Sequence, residues 1–97
     1  MPYSFIQDVP ADEKIYAQIK ELLPAEPPAG MVAHLALKRE GGLRYVDVWD
    51  DEESWERFRV DHLEPAVGKV LASYGIPHTH DAVSIETIEV VDVWLGR

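Results

Sequence analysis

Two runs of alternating residues around a glycine pair constrain this chain more than any other feature. Met31 to Lys38 (MVAHLALK) and Leu43 to Trp49 (LRYVDVW) change character at every second residue, as a pleated strand does. Gly41-Gly42 between them supplies the positive φ angles of a tight hairpin turn. With that pair as the turn, Leu37 faces Val46, Leu35 faces Val48 and His34 faces Trp49. One face of the hairpin then collects Met31, Ala33, Leu35, Leu37, Val46 and Val48. The other collects Val32, His34, Ala36, Tyr45, Asp47 and Trp49. A slip of one residue would mix the two sets, and burial of either face opposes it.

The flanking sequence completes a pattern. Tyr3 to Val9 alternates as a first strand, with Tyr3, Phe5, Gln7 and Val9 on one side. Pro10, Asp12 and Glu13 suit a helix start, and Ile15, Ile19, Leu22 and Leu23 recur at helical spacing, predicting a helix from about Pro10 to Leu23. The prolines after it make residues 24–30 a stiff connector. Asp50-Asp51-Glu52-Glu53 marks a second helix start, and Trp55, Phe58 and His62 run down one stripe. Pro65 predicts a break or kink near Glu64, after which Val67, Val70, Leu71 and Tyr74 continue the apolar side. Gly75, followed by Ile76 and Pro77, reads as a left-handed cap. Ala82 to Leu95 alternates again as a long fourth strand with a weak point near Glu89. The order β-α-β-β-α-β is that of an α+β, ferredoxin-like domain: one four-stranded antiparallel sheet with two helices on one face, spanning residues 1–97 as a single domain.

Charge and composition exclude several roles. Eighteen acidic against nine basic side chains give a formal charge of −9, which repels nucleic-acid phosphate and anionic lipid. No cysteine is present, so disulfides, thiolate metal sites and thiol nucleophiles are absent. The apolar runs are too short for a membrane span, and Met1-Pro2-Tyr3-Ser4 lacks the basic start of a signal peptide, so the expected location is cytoplasmic.

Two helices roof one face of such a sheet, yet apolar or aromatic groups occupy both faces. Monomers seldom leave a contiguous apolar patch of that size in water. A second copy of the same sheet is the economical cover, so the expectation is a homodimer packed sheet to sheet.

The stretch from Gly42 to Phe58 (GLRYVDVWDDEESWERF) resembles a recurrent pattern of the dimeric α+β barrel superfamily, in which a third strand ending in Trp leads into an acidic helix start and helix-borne aromatics. Within it, the chain resembles the antibiotic biosynthesis monooxygenase-like family. The resemblance implies two ferredoxin-like sheets packed as a barrel, and a small aromatic or polyketide-like ligand oxidised by O₂ without a metal or flavin. Its haem-degrading branch carries an Asn, a Trp and a His where this chain has Gln7, Phe58 and Gly68, and a glycine cannot ligate iron. In the cofactor-independent branch Trp49 matches a substrate-handling Trp, while Tyr45 stands where an Asn is usual.

From the residues themselves, His34, Tyr45, Asp47 and Trp49 share one hairpin face. The enzymatic reading makes His34 the base, Trp49 the stacking partner, Tyr45 a hydroxyl donor and Asp47 the group that orients the imidazole. Trp55, Phe58 and His62 would wall the pocket. The competing reading is a non-catalytic binding or assembly module in which the same side chains are ordinary packing. His78-Thr79-His80-Asp81 reads as a solvated loop, not a metal site, since it lacks a remote fourth ligand. No metal or organic cofactor is expected.

Overall fold

The structure, a computed structural model, describes residues 2–76 and 85–96. Four strands, β1 (Tyr3–Val9), β2 (Met31–Arg39), β3 (Gly42–Trp49) and β4 (Ile85–Ile88), form one antiparallel sheet in the order β2-β3-β1-β4. Helix α1 (Glu13–Leu22) follows β1, and a helical rod follows β3. This is the ferredoxin-like β-α-β-β-α-β arrangement.

Helix starts are set by local chemistry. Asp12 caps α1 by accepting the Ile15 N–H at 2.9 Å, and Asp51 caps α2 (Glu52–Phe58) by accepting the Ser54 N–H at 2.7 Å. The Ser54 bond is the main reason the Asp51 carboxyl titrates below its ordinary range. Where Pro65 predicted a break or kink, the rod stays helical but widens into one π turn, Arg59–Leu63, and continues as α3 (Glu64–Ser73). Proline then sits in the first turn of α3, where its missing N–H costs least. The rod ends as anticipated: Gly75 has φ +70°, and the N–H groups of Gly75 and Ile76 return to the carbonyls of Ala72 and Leu71.

Three details of the sheet differ from the sequence reading. The hairpin turns on Glu40-Gly41, with Gly41 at φ +83° and Arg39 paired to Gly42, so every pair slides by two residues: Leu37 faces Arg44, Leu35 faces Val46, and His34 faces Asp47 rather than Trp49. An even slide preserves both faces. Gly42 pairs with Arg39 as the first residue of β3, and glycine is required there because a Cβ would collide with the Val9 carbonyl. A bulge at Val32 then brings Met31 opposite Trp49, so Met31 leaves the Leu35 face and packs on the aromatic core beneath the helices. Finally, β4 ends at Ile88. Ile88 already faces Ser4, so Glu89 would need Tyr3, the first residue of β1, and Pro2 beyond it has no N–H to offer.

The helices cover the face bearing Phe5, Gln7, Tyr45, Asp47 and Trp49. Two clusters fill the space between the layers, one of Phe5, Trp49, Trp55 and Phe58, the other of Ile19, Ala66 and Val70 from the helices. On the opposite face, Leu35 and Leu37 are 55% and 44% exposed beside Ala33, Val46 and Ile6.

Candidate functional site

The site grows from the hairpin pairing of His34 with Asp47. Both residues point under the helices, and the central strand β3 takes Asp47 to 3% exposure. A carboxylate at that depth requires donors on its oxygens. His34 Nδ1 lies 2.7 Å from Oδ1, and the Trp49 indole N–H donates to Oδ2 at 3.1 Å. The second imidazole nitrogen, Nε2, lies 2.9 Å from the Tyr16 hydroxyl on α1. A continuous chain, Trp49–Asp47–His34–Tyr16, therefore links the core to the helix layer. The Tyr16 and His34 rings stack at 6.1 Å and 8°, and Tyr45 closes the group at 5.3 Å from His34 and 5.6 Å from Tyr16.

Electrostatics reinforce this geometry. Burial pushes the Tyr45 hydroxyl far above its ordinary value, with smaller contributions from Tyr16 and the Asp47 charge. Tyr16 is raised too, first by burial and then by Asp47. Both phenols are thus held protonated, and the Asp47 carboxylate contributes to both shifts.

His34, Tyr16, Tyr45 and Asp47 line a cavity of about 960 Å³ between sheet and helices, large enough for a ligand of several rings. Ile15, Ile19, Leu23, Phe58, Leu63 and Val67 make much of its wall apolar. Charged side chains sit around it as well: Arg59, from the π turn, bridges Glu56 at 2.6 Å and Glu64 at 2.5 Å.

The residues singled out from sequence fall into four positions. His34, Tyr45 and Asp47 come together at the cavity. Trp55 and Phe58 border the cavity and belong to the aromatic core. The Trp55 indole N–H is enclosed without a hydrogen-bond partner among the rings of Phe5, Trp49 and Phe58. Trp49 is 0% exposed and is not among the residues lining the cavity, so its link to the site runs through Asp47. His62 is exposed on the π turn, its ring 6.0 Å from Phe58 and outside the cavity lining. The segment His78 to Asp81 lies outside the described residues. Among those described, no cluster of three or more metal-ligating side chains occurs, and no helix is long and apolar enough to cross a membrane.

Sequence reading missed Tyr16. Its signal was present, since Tyr16, Ile19 and Leu23 have the spacing of one inward helix stripe. Leu22, placed on that stripe instead, is 45% exposed.

No family model and no curated protein matches the chain. Solved structures do. A protein from Chloroflexus aurantiacus J-10-fl, described as a candidate antibiotic biosynthesis monooxygenase, aligns with TM-score 0.60 at 17% identity over 99% of this chain and 100% of its own. Rv0793 from Mycobacterium tuberculosis aligns with TM-score 0.58 at 14% identity, over 96% and 98% of the two chains. NE2512 of Nitrosomonas europaea, a protein of unknown function, aligns with TM-score 0.57 at 21% identity over 99% and 94%. The chain shares their fold. At these identities the likeness concerns architecture, and chemistry must be argued from the site.

Proposed function

We propose that this protein binds a small aromatic or polyketide-like molecule in the cavity and oxidises it with O₂, using His34 as general base and no bound metal or flavin. The observation that carries this reading is the His34–Asp47 pair: a buried carboxylate holding an imidazole at the wall of a mostly apolar cavity. Taking the hydroxyl proton of a phenol or enol makes a phenolate or enolate, whose ring or α carbon carries the electron density that can reduce oxygen, so the protein needs a base, a dry chamber and groups that hold a ring. Asp47 orients and stabilises the imidazolium, Tyr45 donates to the ligand oxygen, Trp55 and Phe58 pack the ring, and Trp49 positions Asp47. His62 stands at the end of the aromatic row, behind Phe58. The name carried by the Chloroflexus protein agrees with this class.

The working form in this proposal is a homodimer in the cytoplasm, the second copy covering the sheet face around Leu35 and Leu37. Exposed apolar groups on residues 89–96, among them Val91 and Trp94 at 100% and 92%, support association between copies. That same surface favours a second reading, a non-catalytic binding or assembly module.

Oxygen uptake with a panel of quinols separates the two. The enzyme reading expects oxygen-dependent turnover that falls at least about a hundredfold in His34→Ala, the usual span of general-base loss. Uptake that is absent across the panel, or unchanged in the variant, leaves the module.

A further inference from the structure

His34 has one nitrogen lone pair available to a ligand, and the chain itself fills it. An ionised carboxylate only accepts hydrogen bonds, so the neutral imidazole donates its Nδ1–H to Asp47 Oδ1 and keeps Nε2 as an acceptor. The Tyr16 hydroxyl at 2.9 Å therefore donates to Nε2. From the helix side, Tyr16 makes the contact that a ligand hydroxyl would make from the cavity, a phenol O–H on the imidazole with an aromatic ring alongside.

We propose that Tyr16 is a resident surrogate for the ligand's hydroxyl, which a ligand must displace from His34 Nε2 to engage the base. This rests on the reading of His34–Asp47 as the working pair and specifies what that pair accepts. Exchange succeeds only for a group that donates, as Tyr16 does, so the ligand carries a neutral hydroxyl. An anion is rejected on two counts. Its oxygen would meet a lone pair at Nε2, and the nearest charge is the Asp47 carboxylate. Of the cations lining the cavity, Arg59 is already held by Glu56 and Glu64, and four carboxylates, Glu26, Asp47, Glu56 and Glu64, line the cavity against Lys20 and Arg59.

The test uses the full chain at neutral pH with 2-naphthol, its methyl ether and 2-naphthoate, titrated by calorimetry into wild type and Tyr16→Phe. Removing the internal competitor should tighten 2-naphthol about three- to tenfold, the equivalent of one ordinary hydrogen bond, and leave the ether unchanged because it has no proton to offer. Naphthoate should bind neither protein. In ¹⁵N spectra the His34 Nε2 signal should move in ligand-free Tyr16→Phe, and in wild type on adding 2-naphthol but not the ether. That wild-type measurement serves alone if the variant does not fold. Equal 2-naphthol affinity in the two proteins, or a parallel change for both naphthol and ether, overturns the surrogate role while the base reading stands. Tight naphthoate binding overturns the charge selection. Naphthol binding that ignores His34→Gln sinks the base reading beneath it, and no naphthol binding at all sinks both.

Discussion

One face of one sheet carries two aromatic groups of opposite character. Near the start of β1, neighbouring rings among Phe5, Trp49, Trp55 and Phe58 lie 4.8 to 6.4 Å apart and close on one another between sheet and helix. Further along the hairpin, Tyr16, His34 and Tyr45 stand around a void. The difference lies in what each side chain must satisfy. Phe and Trp rings gain by closing on one another, whereas imidazole and phenol groups need directed partners and stay where those hold them. Asp47 is the border, one oxygen facing each group. A solid group of this kind supports stability, and a hollow one supports binding.

The largest effect should come from the solid side. Trp49→Ala removes a fully enclosed indole and the donor on Asp47, for an expected loss of about 3–5 kcal/mol in urea unfolding. A loss below about 1 kcal/mol would mean that the solid group is not the structural one. Next is the border residue. Asp47→Asn keeps the shape but turns one accepting oxygen into a donor, so either the indole N–H loses its acceptor or the imidazole must change tautomer. The expected cost is about 1–3 kcal/mol, together with loss of the fixed His34 tautomer in ¹⁵N spectra. A variant with wild-type stability and an unchanged imidazole would show that Asp47 does not couple the two groups.

The smallest effect belongs to the hollow side and appears with pH. Tyr45 and Tyr16 ionise above their ordinary value in the folded chain, so the unfolded chain releases those protons first. Their contribution is whole below about pH 10 and is lost as pH rises toward the folded values. Tyr45→Phe should therefore flatten the alkaline fall of the urea midpoint while changing it little at pH 7. Equal slopes in the two proteins would place the Tyr45 hydroxyl in water.

Most of the architecture was legible because its signals are local. Alternation in residues 3–9, 31–38 and 43–49 marked three strands, Pro10 with Asp12 and Glu13 marked the first helix start three residues early, Asp50-Asp51-Glu52-Glu53 marked the second, and Gly75 marked a helix end. The site was legible in part. Face parity placed His34, Tyr45 and Asp47 together, and parity survives an even slide of the hairpin. Tyr16 was not found, because its partner lies eighteen residues away on another layer and no local rule pairs them.

Periodicity and turn chemistry are written in neighbouring residues, so the chain's order of elements, its two apolar sheet faces and the shared side of His34 and Asp47 follow from the amino acids alone. Which pairs meet does not. The turn at Glu40-Gly41, the bulge at Val32 and the π turn before Pro65 are choices among locally similar backbones, settled by how Trp49, Met31 and Phe58 fit once the layers close. Those choices set His34 against Asp47 and Tyr16, and left the space beside them open.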